Sequence, residues 1–285
     1  MTQRKFVQQM RSSGRRFRKD KMKKGIYVLP NLFTTASMFC GFYSVISSMK
    51  EEFLLASVAI LIAWVLDGLD GRMARMTNTT SKFGMEYDSL ADLVAFGVAP
   101  GILVYNWSLM PYGKWGWLVS FLFTACGALR LARFNVQVNV IDKSLFNGLP
   151  IPAAAIALAS TILLFNFLGI TGKFHHVSIL IGMIMLSLLM VSSVKYYSFK
   201  DMNYFLKKPF ISVVLILGIL IIAIAEPQIS IFTFAFGYAI SGPLWTIYRL
   251  VTRRKIAKET PETKGARESG ETKESGEAEN PARVK

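Results

Sequence analysis

Cysteine is scarce in this chain. Its 285 residues include two, Cys40 and Cys126, both inside apolar segments and neither spaced for metal ligation. They read as small buried apolar side chains rather than as a disulfide framework or a thiolate site. Charge is scarce too: charged residues make up 18% and hydrophobic ones 52%, and mean hydropathy is positive. A soluble domain of this length carries more charge and shorter apolar runs. No cleavable leader is visible, because the N-terminal arm is too long and too basic before its first apolar run. No finger, RNA-binding or helix-turn-helix pattern accompanies the net charge of +15, so nucleic acid does not account for it. No repeat signature imposes a solenoid or a two-half transporter.

What is present is a series of long apolar windows, such as "ISVVLILGILIIAIAE" and "VSILIGMIMLSLLMVSSV". A window of about 20 apolar residues crosses a hydrocarbon core of about 30 Å. The chain is therefore expected to be an all-α integral membrane protein, a polytopic bundle of about eight transmembrane helices. The expected spans are 29–49, 53–76, 84–108, 114–135, 150–170, 174–196, 208–225 and 228–249. Six spans would keep the same parity but would discard two strong apolar windows.

The loops carry a charge rhythm. Lysine and arginine crowd the N-terminal arm, the second, fourth and sixth loops and the start of the C-terminal tail. The alternate loops are short and poor in both. Positive charge stays on the cytoplasmic side, which places both termini there, in the cell (inner) membrane. Three regions follow: a basic arm over 1–28, also suited to anionic lipid headgroups, a membrane domain over 29–250, and a charged tail over 251–285. The tail has almost no large apolar residues and is expected to be disordered.

One stretch interrupts the apolar pattern: "DGLDGRMARMTNTTSKFGMEYDSLAD", residues 67–92. Ionisable groups at membrane depth are costly and normally face a protein interior or a wet cavity. Asp67, Asp70 and Ala74 share one helix face by their spacing, as do Gly84, Asp88 and Asp92. The short polar segment between them makes a helical hairpin. Measured from its middle, Asp67 matches Asp92 in depth and Asp70 matches Asp88, the two layers lying about 5–6 Å apart along the axis. Four converging carboxylates call for protons or cations. An all-oxygen set suits hard ions such as Mg²⁺, Mn²⁺ or Ca²⁺, and four carboxylates suit two metals used in phosphoryl chemistry. Gly71, Ala74 and Gly84 permit close approach, and Arg75 is available to a phosphate. A structural polar network and a cation pathway remain open alternatives on spacing alone.

The pattern D-x2-D-G-x2-A-R-x8-G-x3-D-x3-D, Asp67 to Asp92 with no departure, resembles the signature of the CDP-alcohol phosphatidyltransferase family. The likeness extends over at least residues 30–200. It implies a membrane enzyme that moves a phosphatidyl group from a CDP-linked lipid to an alcohol and releases CMP. By position, Asp67, Asp70 and Asp88 would hold two divalent metals, Mg²⁺ or Mn²⁺. Asp92 would complete the second metal site and act as general base. Gly71, Ala74, Arg75, Ser81 and Gly84 would bind the CDP-lipid. The motif "PNLFT" at 30–34 adds Asn31 and Thr34, whose plainer role would be helix capping. A homodimer is also implied.

The signature does not choose the acceptor. "LRLARFN" at 129–135, "FNGLPIPAAA" at 146–155 and "LMVSSVKYYSFK" at 189–200 are similar to the serine-accepting bacterial branch of the family. That implies CDP-diacylglycerol and L-serine as substrates. Arg130 and Arg133, three apart at one end of the fourth span, can share a face and meet an anion. Asn135 and Lys200 are further serine-binding candidates. Glycerol-phosphate or inositol-phosphate as acceptor stays open, as does a divalent-cation transporter.

Overall fold

In the computed structural model, residues 30–76, 81–137 and 145–197 are described, together with 217–218, 221, 223–246, 248 and 252. The arm 1–28, most of the hairpin loop, Lys200 and most of the tail lie outside the described residues. The same is true of most of the expected span 208–225.

The fold is a helical bundle. α1 (Pro30–Met49), α2 (Phe53–Met76), α3 (Lys82–Tyr112) and α7 (Pro227–Thr246) are each long and apolar enough to cross a membrane, as is α4 (Lys114–Gln137) over Lys114–Val136. Two further helices are apolar but shorter: α5 (Ile151–Phe167) and α6 (Val177–Val191). Both fall short of the expected 150–170 and 174–196, for local reasons. α5 ends at Gly169, whose φ of 81° reverses the chain. There the Ile170 N–H closes back on the Phe165 carbonyl at 2.9 Å, a glycine-based helix stop. α6 ends at Ser192, which is extended.

Beyond that stop the chain forms a strand that sequence periodicity did not suggest. β2 (Lys195–Tyr197) pairs antiparallel with β1 (Leu145–Asn147). The β1–α5 connection is held down by its backbone, with Gly148 N–H donating to Val194 O at 2.8 Å and Leu149 N–H to Leu189 O at 3.0 Å. Gly148 has a φ of 82° and lies against the carbonyls of Met190 and Ser192, where a side chain would collide with backbone. Pro150 and Pro152 then start α5, where missing N–H groups cost nothing.

The bundle is centred on α3. This helix widens into π turns at Leu93–Val98 and Tyr105–Leu109, and small residues let its neighbours close on it. α1 carries Ser37, Gly41, Ser44 and Ser48 along one buried side. At Gly41 the α3 backbone is so near that an added Cβ would sit 2.5 Å from the Ala95 Cα. Small residues at such crossings bring backbones into van der Waals range, the main attraction between helices in lipid. α4 donates the Ser120 hydroxyl to the Gly101 carbonyl and the Thr124 hydroxyl to the Gly97 carbonyl, the latter at 3.2 Å. α4 packs on both α3 and α6, and α2 packs on α5. Both cysteines are free. At the end of the bundle away from the aspartates, Trp107, Phe165 and Phe174 stack within 4.6–5.9 Å of one another and close the interior.

Candidate active site

The aspartates occupy the end of the α2–α3 hairpin. α3 starts where Ser81, extended at φ −122° and ψ 154°, accepts the Gly84 N–H at 2.9 Å. This is an N-cap, so the hydroxyl expected to face the CDP-lipid also has a structural task. One turn later Gly84 is hemmed in: an added Cβ would lie 3.1 Å from Ser81 Oγ and 3.6 Å from Asn31 Oδ1. The start of α1 is thereby brought to the signature hairpin. Two hydroxyls of α1 complete the junction. Thr34 Oγ1 donates to Asp70 Oδ2 at 2.7 Å, its single hydrogen shared with Pro30 O at 3.1 Å. Thr35 Oγ1 meets Tyr87 Oη of α3 at 2.8 Å.

Carboxylate oxygens of Asp67, Asp70 and Asp88 all lie within 4.8 Å of one another. Asp92 lies one turn further along α3 from Asp88 and faces the same cavity. Asp70 is 4% exposed and the other three are half-buried. So many like charges in an interior repel strongly, and relief comes from protons or from a cation. The donor set is all oxygen, which matches a hard divalent ion. The residues present therefore fit the metal that the sequence implied.

On the same helix face, Gly71 and Ala74 are half-buried and Arg75 is exposed. Arg75 Nε donates to its own helix at Gly71 O, 2.8 Å away. Asn31, Gly71, Ala74, Arg75, Ser81 and Gly84 thus lie around the mouth of the carboxylate cluster.

A cavity of about 970 Å³, lined by Asp88 and Asp92, lies between α2, α3, α4, α5 and α7. Trp64, Leu131, Pro150, Pro152 and Ile156 form apolar wall, and Ser89, Arg130, Asn135 and Tyr238 supply its polar groups. Arg130 Nε is buried and, among the described residues, has no hydrogen-bond partner. Asp92 and Tyr238 line the cavity with it. The paired arginine behaves differently. Arg133 Nη1 reaches Val191 O at 3.4 Å, at the C-terminus of α6, and does not line the cavity. Of the two arginines expected to share a face, Arg130 alone lines the cavity. Asn135 Nδ2 donates to Ser89 Oγ at 3.1 Å and Glu86 Oε2 at 3.2 Å, at the rim. Tyr238 was not anticipated, since nothing in its local sequence distinguishes it from an interfacial tyrosine.

The fold and site define a class: a polytopic helical membrane protein with a carboxylate cluster at the end of a helix hairpin, opening into a largely apolar cavity. The chain belongs to the CDP-alcohol phosphatidyltransferase family, whose profile matches residues 27–195, and it is an enzyme. Over 232 residues, 79% of this chain and 94% of the relative, it is 41% identical to a CDP-diacylglycerol--serine O-phosphatidyltransferase of Helicobacter pylori. It is 36% identical to a Bacillus subtilis protein of the same name, over 60% of this chain and 91% of the relative. It is also 36% identical to an archaetidylserine synthase of Methanothermobacter thermautotrophicus, over 62% and 72% respectively.

Proposed function

We propose that this enzyme transfers the phosphatidyl group of CDP-diacylglycerol to the hydroxyl of L-serine, giving phosphatidylserine and CMP. The observation that carries this reading is that one cavity joins Asp88 and Asp92 to the half-buried Arg130. The names of the relatives support serine as acceptor.

Asp67, Asp70, Asp88 and Asp92 would hold two divalent ions, Mg²⁺ or Mn²⁺, which when bound neutralise charge on a pyrophosphate. Thr34 fixes the Asp70 carboxylate by its hydrogen bond. Asn31, Thr34, Gly71, Ala74, Arg75, Ser81 and Gly84 make the donor side: small residues admit the nucleotide and Arg75 faces a phosphate oxygen. Asp92 takes the proton of the serine hydroxyl as its oxygen attacks the lipid-bearing phosphorus. The bond from that phosphorus to the bridging oxygen breaks, and CMP leaves with the electron pair. Arg130 receives the serine carboxylate at the inner end of the polar wall. Domain limits of 1–28, 29–250 and 251–285, with the site and both termini cytoplasmic, accord with the distribution of lysine and arginine.

The test is CMP release from CDP-diacylglycerol and Mn²⁺ with a panel of alcohols. L-Serine alone is expected to support turnover at low concentration. Equal use of glycerol 3-phosphate or inositol phosphate would refute the acceptor, and no release with any alcohol would refute the reaction. Asp92→Asn is expected to lower kcat by about 10²–10⁴-fold while CDP-diacylglycerol still binds.

A further inference from the structure

One wall of the cavity comes from α7, beyond the family-matched residues 27–195. α7 is seated by a specific contact. Pro243 lies within it and has no N–H, so the carbonyl four residues back, Ala239 O, lacks its helical donor. The Tyr196 hydroxyl supplies that hydrogen bond at 2.9 Å, from a side chain with no exposed surface. Gly242 admits the Tyr196 ring, which an added Cβ would overlap. The ring of Tyr196 also lies 5.4 Å from that of Tyr238. Tyr196 of β2 therefore seats α7, the helix that carries Tyr238 into the cavity lined by Arg130.

We propose that Tyr238 is a positioning residue that holds the Arg130 guanidinium in the plane needed to grip the acceptor carboxylate, so that a helix outside the family core sets acceptor selectivity. This rests on the serine reading above. A guanidinium recognises a carboxylate through two parallel N–H groups, and its value depends on the orientation of that fork. Arg130 enters from α4 with Nε buried and without a hydrogen-bond partner among the described residues, so its own helix does not orient it. Asp88, Asp92 and Tyr238 are the titratable groups that line the cavity with it. On this proposal the phenol oxygen would accept one guanidinium N–H and leave the remaining edge to the acceptor; both side chains line the one cavity. An acceptor without a carboxylate leaves that edge unpaired, and sites built around a buried polar partner reject such analogues strongly.

The experiment uses the full chain in detergent, with CMP release measured for L-serine and for ethanolamine, which lacks the carboxylate. Tyr238→Phe is expected to raise KM for L-serine about 10-fold. KM for CDP-diacylglycerol and kcat at saturating serine should stay within about two-fold, and the preference over ethanolamine should narrow. Arg130→Lys should shift the same constants further. The double variant should be no worse than Arg130→Lys, because coupled residues are not additive. An unchanged serine KM in Tyr238→Phe overturns the proposal, and so do fully additive effects. A parallel fall in kcat and donor affinity also overturns it, since that would mark a merely structural role. If the native enzyme shows no preference for serine, the acceptor reading fails first and this inference with it. A serine-specific native enzyme with an indifferent Tyr238→Phe variant refutes the inference alone.

Discussion

Thr34→Val isolates one bond at the carboxylate cluster. Valine keeps the shape of threonine and removes the hydroxyl that donates to Asp70 at 2.7 Å. Thr34 is 4% exposed, so water does not readily replace the lost donor. A hydrogen bond to a charged group is worth about 1.5–3 kcal/mol, more than a neutral one. Loss of the partner that orients a metal-ligating carboxylate typically costs about 10–100-fold in metal affinity, or about 1.4–2.7 kcal/mol. The two estimates agree. The expected result is a rise of about 10–100-fold in the Mn²⁺ concentration for half-maximal CMP release. Turnover at saturating Mn²⁺ should change little, because Thr34 acts through Asp70. Thr34→Ser retains the hydroxyl and should restore most of the metal affinity. An unchanged Mn²⁺ requirement in Thr34→Val, or a serine variant as impaired as the valine one, would refute the reasoning.

Three further predictions concern the cluster, the helix crossing and the second arginine. In EDTA, Asp88→Asn removes one of three mutually repelling carboxylates, so its thermal midpoint should equal or exceed that of the native protein. Added Mn²⁺ should then stabilise the native protein far more than the variant, and a variant clearly less stable in EDTA would contradict the repulsion. Gly41→Ala drives a Cβ against the Ala95 backbone, whereas Gly182 of α6 has nothing within 4 Å. The first should lose about 1–3 kcal/mol in detergent unfolding and Gly182→Ala none; equal losses would sink the crossing argument. Arg133→Ala should leave KM for L-serine unchanged and cost about 0.3–1 kcal/mol of stability, as expected for a cation at a helix C-terminus. A large serine-specific effect would place Arg133 back in the cavity.

Much of this site is legible in the sequence because helix geometry is local. Spacings of three and four put Asp67 with Asp70, and Asp88 with Asp92, on single faces. A short polar segment turns the chain, and the hairpin brings the two faces together. The helix stops are local as well, as at Gly169. Other features have no local signal. Arg130 and Arg133 look alike in sequence, yet three residues on a helix separate their directions by about 60°. That angle is enough to send one guanidinium into the cavity and the other to the end of α6. The π turns of α3 and the β1–β2 ladder also escape periodicity, because each depends on what packs alongside.

The sequence by itself marked the chain as one with helices apolar enough for a membrane and put Asp67, Asp70 and Asp88 together at one hairpin. It also offered an all-oxygen donor set, which suits a hard cation, because side-chain type, helical rise and apolar length are properties of short segments. Only the tertiary structure decided that Thr34 reaches Asp70 across 36 positions, that Pro243 leaves a carbonyl for Tyr196, and that α7 closes the cavity with Tyr238. The reason is the solvent. In lipid every face of a helix can be apolar, so hydrophobic patterning does not tell an interior face from an exterior one. Which face meets which is settled by close packing and by the need to satisfy each buried polar group, and both exist only once the helices are assembled.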